Sequence, residues 1–447
     1  MLDAQSKEGK VKNRKIVVLI LMAAACAAGC RLLPTRLETV LPPDPKELGF
    51  FGSSVALNDT LFVVGSRGFP DGSGSGGVGT AYAFRLAGTW QMEKRFAPAG
   101  LQRGDWLGAD SGAGGNSAVL GAPMIGPGGD NSGAAYFYDY AETVVRLTTG
   151  IFRGRAWVLS STQYPPAELG PESHFGSAAA ADGDEAVIGA SRAWDPGDPV
   201  RYQNKGALVF YHRDPPPAEN TAPIWSAALT KTFYDFNNQA EVGYDVSLRG
   251  DIAVAGAPGY SPETNGNEGA AIVFQRIGGQ WTQTQILMAP EAPQGAVFGT
   301  AVSTDGSLIA VGAPYAPKSP SQPGTGAVYL FQRGTETNSS GGNVWTHIQA
   351  FYPSYDQELH AFGSQVAIDG WRIVTLEQNA PVIFHKDYGS WSRDMFSLPG
   401  PVKPLPSPRH MIALRWPNLL IASPETDVGD VGKAGVIYYA TNWQLLP

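Results

Sequence analysis

The sequence predicts an all-β protein, a seven-bladed β-propeller built from four-stranded antiparallel blades. Three observations predict it. Two glycines thirteen residues apart recur along the chain, a tight-turn signature lies between them, and an aromatic strand signature follows each such block.

The spacing comes first. Phe51-Gly52 leads to Val64-Gly65, Leu107-Gly108 to Leu120-Gly121-Ala122-Pro123, and Phe175-Gly176 to Ile188-Gly189-Ala190. Val242-Gly243 leads to Ala255-Gly256-Ala257-Pro258, and Phe298-Gly299 to Val311-Gly312-Ala313-Pro314. The same ruler finds two worn copies. Phe362-Gly363 points to Leu376, and counting back from Ala422-Ser423-Pro424 reaches Pro408-Arg409. Seven units result. Their starts are separated by 56, 68, 67, 56, 64 and 46 residues, so length varies outside the thirteen-residue block. A solenoid would hold its repeat length nearly constant.

Each block reads as a hairpin. Residues 53–57 form a strand, Asn58-Asp59 a turn and residues 61–64 a second strand; later copies turn at Asp182-Gly183, Gly250-Asp251, Asp305-Gly306 and Asp369-Gly370. Asn, Asp and Gly tolerate the positive φ that a two-residue hairpin turn demands. A third strand begins at Gly79, Gly133, Gly206, Gly269, Gly326 and Gly435, each time running into aromatic and β-branched residues. A fourth strand opens with Trp90, Trp225, Trp281, Trp345 or Trp391. The first strand is rich in Ser, Ala and Gly, which suits the crowded axis of a propeller. The aromatic residues then pack blade against blade.

These residues resemble the FG-GAP repeat family, the propeller at the head of integrin α subunits and of many bacterial surface proteins. The carriers are the Phe-Gly, Gly-Ala-Pro and Gly-Ala-x-x-x-Phe elements, from about Gly49 to the C-terminus. The resemblance implies a binding or adhesion module. Many members bind calcium between the first and second strands through Asp-x-Asp-x-Asp-Gly. Here the block leaves room only for a tight turn with single acids such as Asp59, Asp251, Asp305 and Asp369; Asp182 with Asp184 and Glu185 is the richest. A hard cation needs several convergent oxygens, so no metal site and no cofactor are carried over. Calcium held elsewhere is the open alternative, for instance by Asp195 with Asp198 or by Glu263 with Glu268.

Three segments organise the chain: 1–29, 30–47 and 48–447. Five basic residues between Lys7 and Lys15 precede a short apolar run (16–22) and small residues up to Ala27-Ala28-Gly29-Cys30. That is the pattern of a secretory signal, too short for an ordinary membrane span. Its end resembles the bacterial lipobox, with Ala27 where Leu is commoner, and implies lipidation of Cys30, anchoring at an outer membrane or cell surface, and a signal peptide over 1–29. Residues 1–29 carry five basic and two acidic groups, so their removal takes the formal charge from −8 to −11. An acidic exported monomer without a basic cluster is not expected to bind nucleic acid. Cys26 and Cys30 are the only cysteines, so a chain starting at Cys30 folds without an internal disulfide. Residues 35–41 and Trp443-Gln444-Leu445-Leu446 compete as the strand that closes the ring.

No enzyme signature is present. The six histidines (His174, His212, His347, His360, His385, His410) form no metal pair, and no Gly-x-Ser-x-Gly elbow occurs. Residues 72–79 are Gly-rich but lead into a strand, which makes them a connection and not a phosphate cradle. His174 and His360 share an address beside Phe-Gly, which reads as structural. Arg-Gly-Asp at 103–105 and 249–251 reads as turn chemistry. What remains is the face carrying the second-to-third loops and inter-blade links, where nearly all length variation is expected. Its candidate binding residues are Trp106, Trp194, Tyr202, Tyr260, Tyr315 and Tyr352, with Tyr355 and the acids Glu172, Asp195, Glu241, Glu291, Asp356 and Glu358. The expected partner is a protein or glycan at the cell surface, and replacing Trp194 and Tyr202 by Ala is expected to weaken capture without unfolding. The alternatives are a hydrolase with acids or histidines in the axial funnel, and an envelope component with no specific ligand.

Overall fold

The structure is a computed structural model, which describes residues 31–446 apart from 71–76, 127–129, 148–149, 198–202, 218–220, 263–265, 291–293, 319–323, 355–361, 388, 401 and 403–410. Residues 1–30, which hold the expected signal segment and Cys30, lie outside the described residues.

Seven four-stranded antiparallel sheets form the seven blades, as the repeats predict. The first strand is β1 (Arg31–Val40). Blade 1 is β2 (Phe51–Leu57), β3 (Leu61–Ser66), β4 (Thr80–Ala87) and β5 (Thr89–Phe96). Blade 2 is β6 (Ser111–Gly114), β7 (Ser117–Ala122), β8 (Ala134–Leu147) and β9 (Gly150–Gln163). Blade 3 is β10 (Phe175–Asp182), β11 (Glu185–Ala190), β12 (Ala207–Asp214) and β13 (Ile224–Thr232). Blade 4 is β14 (Val246–Arg249), β15 (Ile252–Ala257), β16 (Ala270–Ile277) and β17 (Gln280–Leu287). Blade 5 is β18 (Ala301–Thr304), β19 (Leu308–Ala313), β20 (Ala327–Thr337) and β21 (Asn343–Phe351). Blade 6 is β22 (Val366–Ile368), β23 (Arg372–Glu377), β24 (Ala380–Asp387) and β25 (Ser390–Met395). Blade 7 is β26 (Ile412–Arg415), β27 (Asn418–Ser423) and β28 (Val436–Leu446), with β1 as its outermost strand.

The competition for ring closure is therefore decided for the N-terminal segment. β1 runs antiparallel to β28 from Arg31↔Leu446 to Val40↔Ile437, and Trp443 belongs to the extended third strand. Joining the first strand to the last blade covers the edge of β28, completes that blade to four strands and ties the two ends of the ring together. It also fixes polarity. The Arg31 end of β1 lies on the face of the first-to-second turns, and the Val40 end on the face of the second-to-third loops. We call these the turn face and the loop face.

The thirteen-residue spacing has a steric cause. A Cβ on Gly121 would lie 1.9 Å from the carbonyl oxygen of Gly176, the first glycine of the next blade. Gly65 stands in the same relation to Gly108, Gly189 to Gly243, Gly256 to Gly299, and Gly312 to Gly363. One glycine of each pair thus serves the junction behind its blade and the other the junction ahead. By the same count along the sequence, the glycine is replaced by Leu376 in the sixth copy and by Arg409 in the seventh, the latter outside the described residues. At the closing junction the position is Ala422, whose Cβ is 3.0 Å from where a Cβ on Gly52 would fall.

The core is a set of layers between blades. Phe96, Leu120 and Tyr138 pack between blades 1 and 2, Phe137, Ile188 and Trp225 between 2 and 3, and Phe210, Val246 and Trp281 between 3 and 4. Blades 6, 7 and 1 share the largest layer, which takes in Leu32 of β1. At the hub, the inner strands have no sheet neighbour for one edge, and side chains of the preceding blade supply acceptors instead. Asp110 accepts the amide of Ala179 at 2.7 Å, Asp245 that of Val302 at 2.7 Å, and Gln365 that of Met411 at 2.8 Å. These groups are buried, and burying a polar group is tolerable only when it is hydrogen-bonded.

Two expectations need correction. Length variation is not confined to the loop face, because β8 and β9 are 14 residues each and run far past the turn of their blade on the other side. Blade 2 also has a fourth-strand tryptophan that the sequence reading omitted, Trp157, set seven residues into β9.

Candidate functional site

The loop face holds a cavity of about 340 Å³ at the junctions of blades 1 to 4, lined by Arg67, Trp106, Ala109, Pro123, Met124, His174, Ser177, Ser191, Arg192, Glu241 and Tyr244. The repeat explains how these meet. Arg67 and Arg192 directly follow or nearly follow a second strand, as do Pro123 and Met124. Trp106, His174 and Glu241 each stand immediately before the apolar-Gly pair that starts a blade. Ring symmetry brings equivalent addresses from successive blades to one rim.

That address has an unusual backbone. Phe50, Trp106, His174, Glu241 and Val297 have φ of 52°, 59°, 53°, 55° and 47°. The left-handed region costs an L-residue roughly 1–2 kcal/mol relative to its ordinary conformation, and Gly or Asn normally fills it. None of the five is Gly or Asn, in a chain with 55 glycines. Cross-blade hydrogen bonds hold the conformation: His174 donates its amide to the carbonyl of Asn131, Glu241 to Asn204 and Val297 to Asn267.

The chemistry of the lining is mixed. Trp106 is 36% exposed and carries the Arg67 guanidinium 5.2 Å from its ring centroid. His174, Ser177 and Ser191 are buried. The Ser177 and Ser191 hydroxyls lie 3.3 Å apart. Arg192 is exposed, and Glu241 and Tyr244 are half-buried. The aromatic rings of Trp106 and Tyr244, the His174 imidazole, two guanidinium groups, one carboxylate and the three hydroxyls of Ser177, Ser191 and Tyr244 therefore share the cavity.

Of the described residues among those expected to bind, the structure brings only Trp106 and Glu241 into this cavity. Tyr315 is 49% exposed on the loop after β19, and Tyr352 is half-buried after β21. Tyr260 packs against Phe236 with ring centroids 4.7 Å apart and the planes tilted by 48°, and burial, with Asp235 nearby, raises its phenol pKa. Trp194 must be corrected. It is 4% exposed, donates its indole N–H to the carbonyl of Pro171 at 2.8 Å and packs on Gly170, so it is a wall of the fold and not a contact residue. Tyr202, Tyr355, Glu291, Asp356 and Glu358 lie outside the described residues, as do His360, Asp198 and Glu263. Asp195 caps the amide of Gly197, and Glu172 is half-buried. Sequence reasoning missed Arg67, Arg192 and Tyr244; the shared address before Phe-Gly was the signal that could have located the rim.

Both Arg-Gly-Asp carboxylates are engaged within the fold. Asp105 is buried and accepts the amide of Gln102, and that burial raises its pKa. Asp251 binds Arg333 at 2.6 Å and the Gln275 amide at 3.0 Å. Among the described residues no three His, Cys, Asp or Glu side chains converge as metal ligands. Glu268 is buried and accepts from the Ser261 hydroxyl. The axial channel is a cavity of about 120 Å³ walled by the inner strands, with Ala56, Ala113, Ala180, Val302, Ala367 and Ala413 among its lining, and with Asp182 and Arg249 toward the turn face. Arg249 reaches past blade 5 to Asp369 of blade 6 at 3.2 Å.

The FG-GAP repeat model matches residues 281–331, from Trp281 in β17 to Phe331 in β20. The chain carries an FG-GAP repeat. No curated protein matches the sequence. A chain of a mitotic checkpoint complex is similar over 94% of this chain and 99% of its own, at 10% identity and a TM-score of 0.48. The β-propeller domain of Swd1 (Cps50) from Myceliophthora thermophila is similar over 92% of this chain and 100% of its own, at 10% identity and a TM-score of 0.47. At such identities neither likeness bears on ligand or partner.

Proposed function

We propose that this FG-GAP-repeat propeller is an exported binding module, anchored by a lipid on Cys30, that engages a protein or glycan partner with its loop face. The observation that carries this reading is the polarity of β1. Its first residue follows Cys30 directly and sits on the turn face. An anchor at that point holds the turn face toward the membrane and turns the opposite rim, with Trp106 and Tyr315, outward. Exposed aromatic side chains on a rigid scaffold are suited to recognition.

The small axial channel, walled mostly by Ala, Val and Leu with Asp182 and Arg249 toward the turn face, supports binding over a hydrolase in the axial funnel, which needs acids or histidines converging on a reacting bond; His174 and Glu241 line the rim cavity instead. Two measurements test the reading. Labelled fatty acid is incorporated into the full-length protein and lost in Cys30→Ser; incorporation that survives this change sinks the anchor. Capture of an envelope component by the full-length protein falls in Tyr315→Ala and Trp106→Ala but not in the turn-face variant Asp184→Ala. Equal capture by all three sinks the assignment of the face.

A further inference from the structure

The rim cavity has more specific chemistry than a general contact surface. An anion site would present donors alone, and Glu241 opposes that. A cation site would present acceptors alone, and Arg67 and Arg192 oppose that. A peptide strand would seek an open sheet edge, whereas this lining comes, Ser177 of β10 apart, from residues that flank strands in four blades. A sugar ring matches all parts. It offers one face of C–H groups to an aromatic side chain, and around its edge hydroxyls that each donate and accept. The volume of about 340 Å³ lies near the lower end of ligand sites.

We infer that the cavity at the junctions of blades 1 to 4 binds one neutral pyranose ring of a glycan, with Trp106 against the ring face and Arg192, Glu241, Ser177 and Ser191 around its hydroxyls. This rests on the reading of the loop face as the recognition surface. The left-handed backbone at Trp106 and Glu241 is shared by Phe50 and Val297, which do not line the cavity, so it belongs to the repeat; glycine at these positions removes a side chain without straining the backbone.

The same strain provides the test. Trp106→Gly and Glu241→Gly remove the groups while easing the backbone, so their melting temperatures stay level or rise. Saturation-transfer NMR and titration calorimetry on the full-length protein use a panel of neutral hexose, deoxyhexose and N-acetylhexosamine oligosaccharides, with uronate-bearing ones alongside. The expected result is saturation of ring protons of at least one neutral sugar, with affinity weakened about tenfold or more in Trp106→Gly and in Arg192→Ala. Three results overturn the proposal: no neutral sugar is saturated, only uronate sugars bind, or binding survives Trp106→Gly. If envelope capture depends on Tyr315 while no sugar binds, the sugar site fails and the loop-face reading stands. If capture is indifferent to every loop-face variant, that wider reading fails first.

Discussion

The indole N–H of Trp225, in the fourth strand of blade 3, donates to the carboxylate of Asp139 in the third strand of blade 2 at 3.1 Å. Asp139 is fully buried and also accepts from Ser117, Ser160 and Arg213. The bond recurs: Trp157 donates to Glu93 of the previous blade at 2.9 Å, and Trp281 to Glu185 at 3.0 Å. Trp90 and Trp345 have no such partner. Asp139→Ala leaves the Trp225 indole and part of the Arg213 guanidinium without an acceptor. We predict a loss of about 2–4 kcal/mol, less than for a fully buried ion pair because Arg213 is partly exposed and also meets Asp184. The urea midpoint should fall accordingly, with Asp139→Asn nearer to the wild-type value.

Gly121→Ala tests the steric origin of the repeat. Its Cβ would clash with the Gly176 carbonyl, and the junction between blades 2 and 3 must open. The expected cost is about 3 kcal/mol. Gly154 lies in β9 with no atom within 4 Å of an added Cβ, so Gly154→Ala should change stability by less than about 1 kcal/mol, in the stabilising direction. Thermal melts of the pair decide it, and equal melts would show that the spacing has another cause.

Trp194→Ala and Trp106→Ala should separate cleanly. The first empties a buried site and costs about 3–5 kcal/mol. The second removes an exposed ring and costs about 1 kcal/mol or less. Denaturant titration of both checks the reassignment of Trp194 from contact residue to wall.

Deleting residues 31–40 uncovers the whole edge of β28 and removes Leu32 from the core. The shortened protein should melt lower and associate edge to edge, visible as a concentration-dependent rise in light scattering. A monomer of unchanged melting temperature would show that β1 is dispensable.

His347 gives a pH dependence. Burial lowers its pKa below the ordinary value of 6.5, only partly offset by a backbone hydrogen bond at Gln349. The unfolded chain therefore takes up this proton first as pH falls. The stability from neutral His347 is complete above pH 6.5 and is lost as pH descends through the lowered folded pKa. In His347→Leu the fall in melting temperature between neutral and mildly acidic pH should be shallower than in the wild type; identical slopes would exclude this histidine as a contributor.

The fold was legible because its signal is steric and local. The spacing from Gly52 to Gly65, repeated from Gly108 to Gly121, reflects one hairpin of constant length whose ends touch neighbouring blades, and such backbone contacts tolerate almost no variation. The candidate site was less legible, since Arg67, Arg192 and Tyr244 come from different blades and become neighbours only through ring closure. Trp194 misled because a loop tryptophan looks the same in sequence whether it faces outward or folds back on Pro171. The extension of blade 2 escaped notice because Trp157 sits well inside its strand and not at the strand's opening, where the other blades place theirs.

The pairing of Arg31 with Leu446 sets an order of events during biosynthesis. A strand made early has no partner until β28 leaves the ribosome, so blade 7 cannot be completed before then. For that interval β1 is a strand without its sheet partner. Whatever factor accompanies the nascent chain has a defined ten-residue segment to shield, and its release should coincide with the arrival of β28.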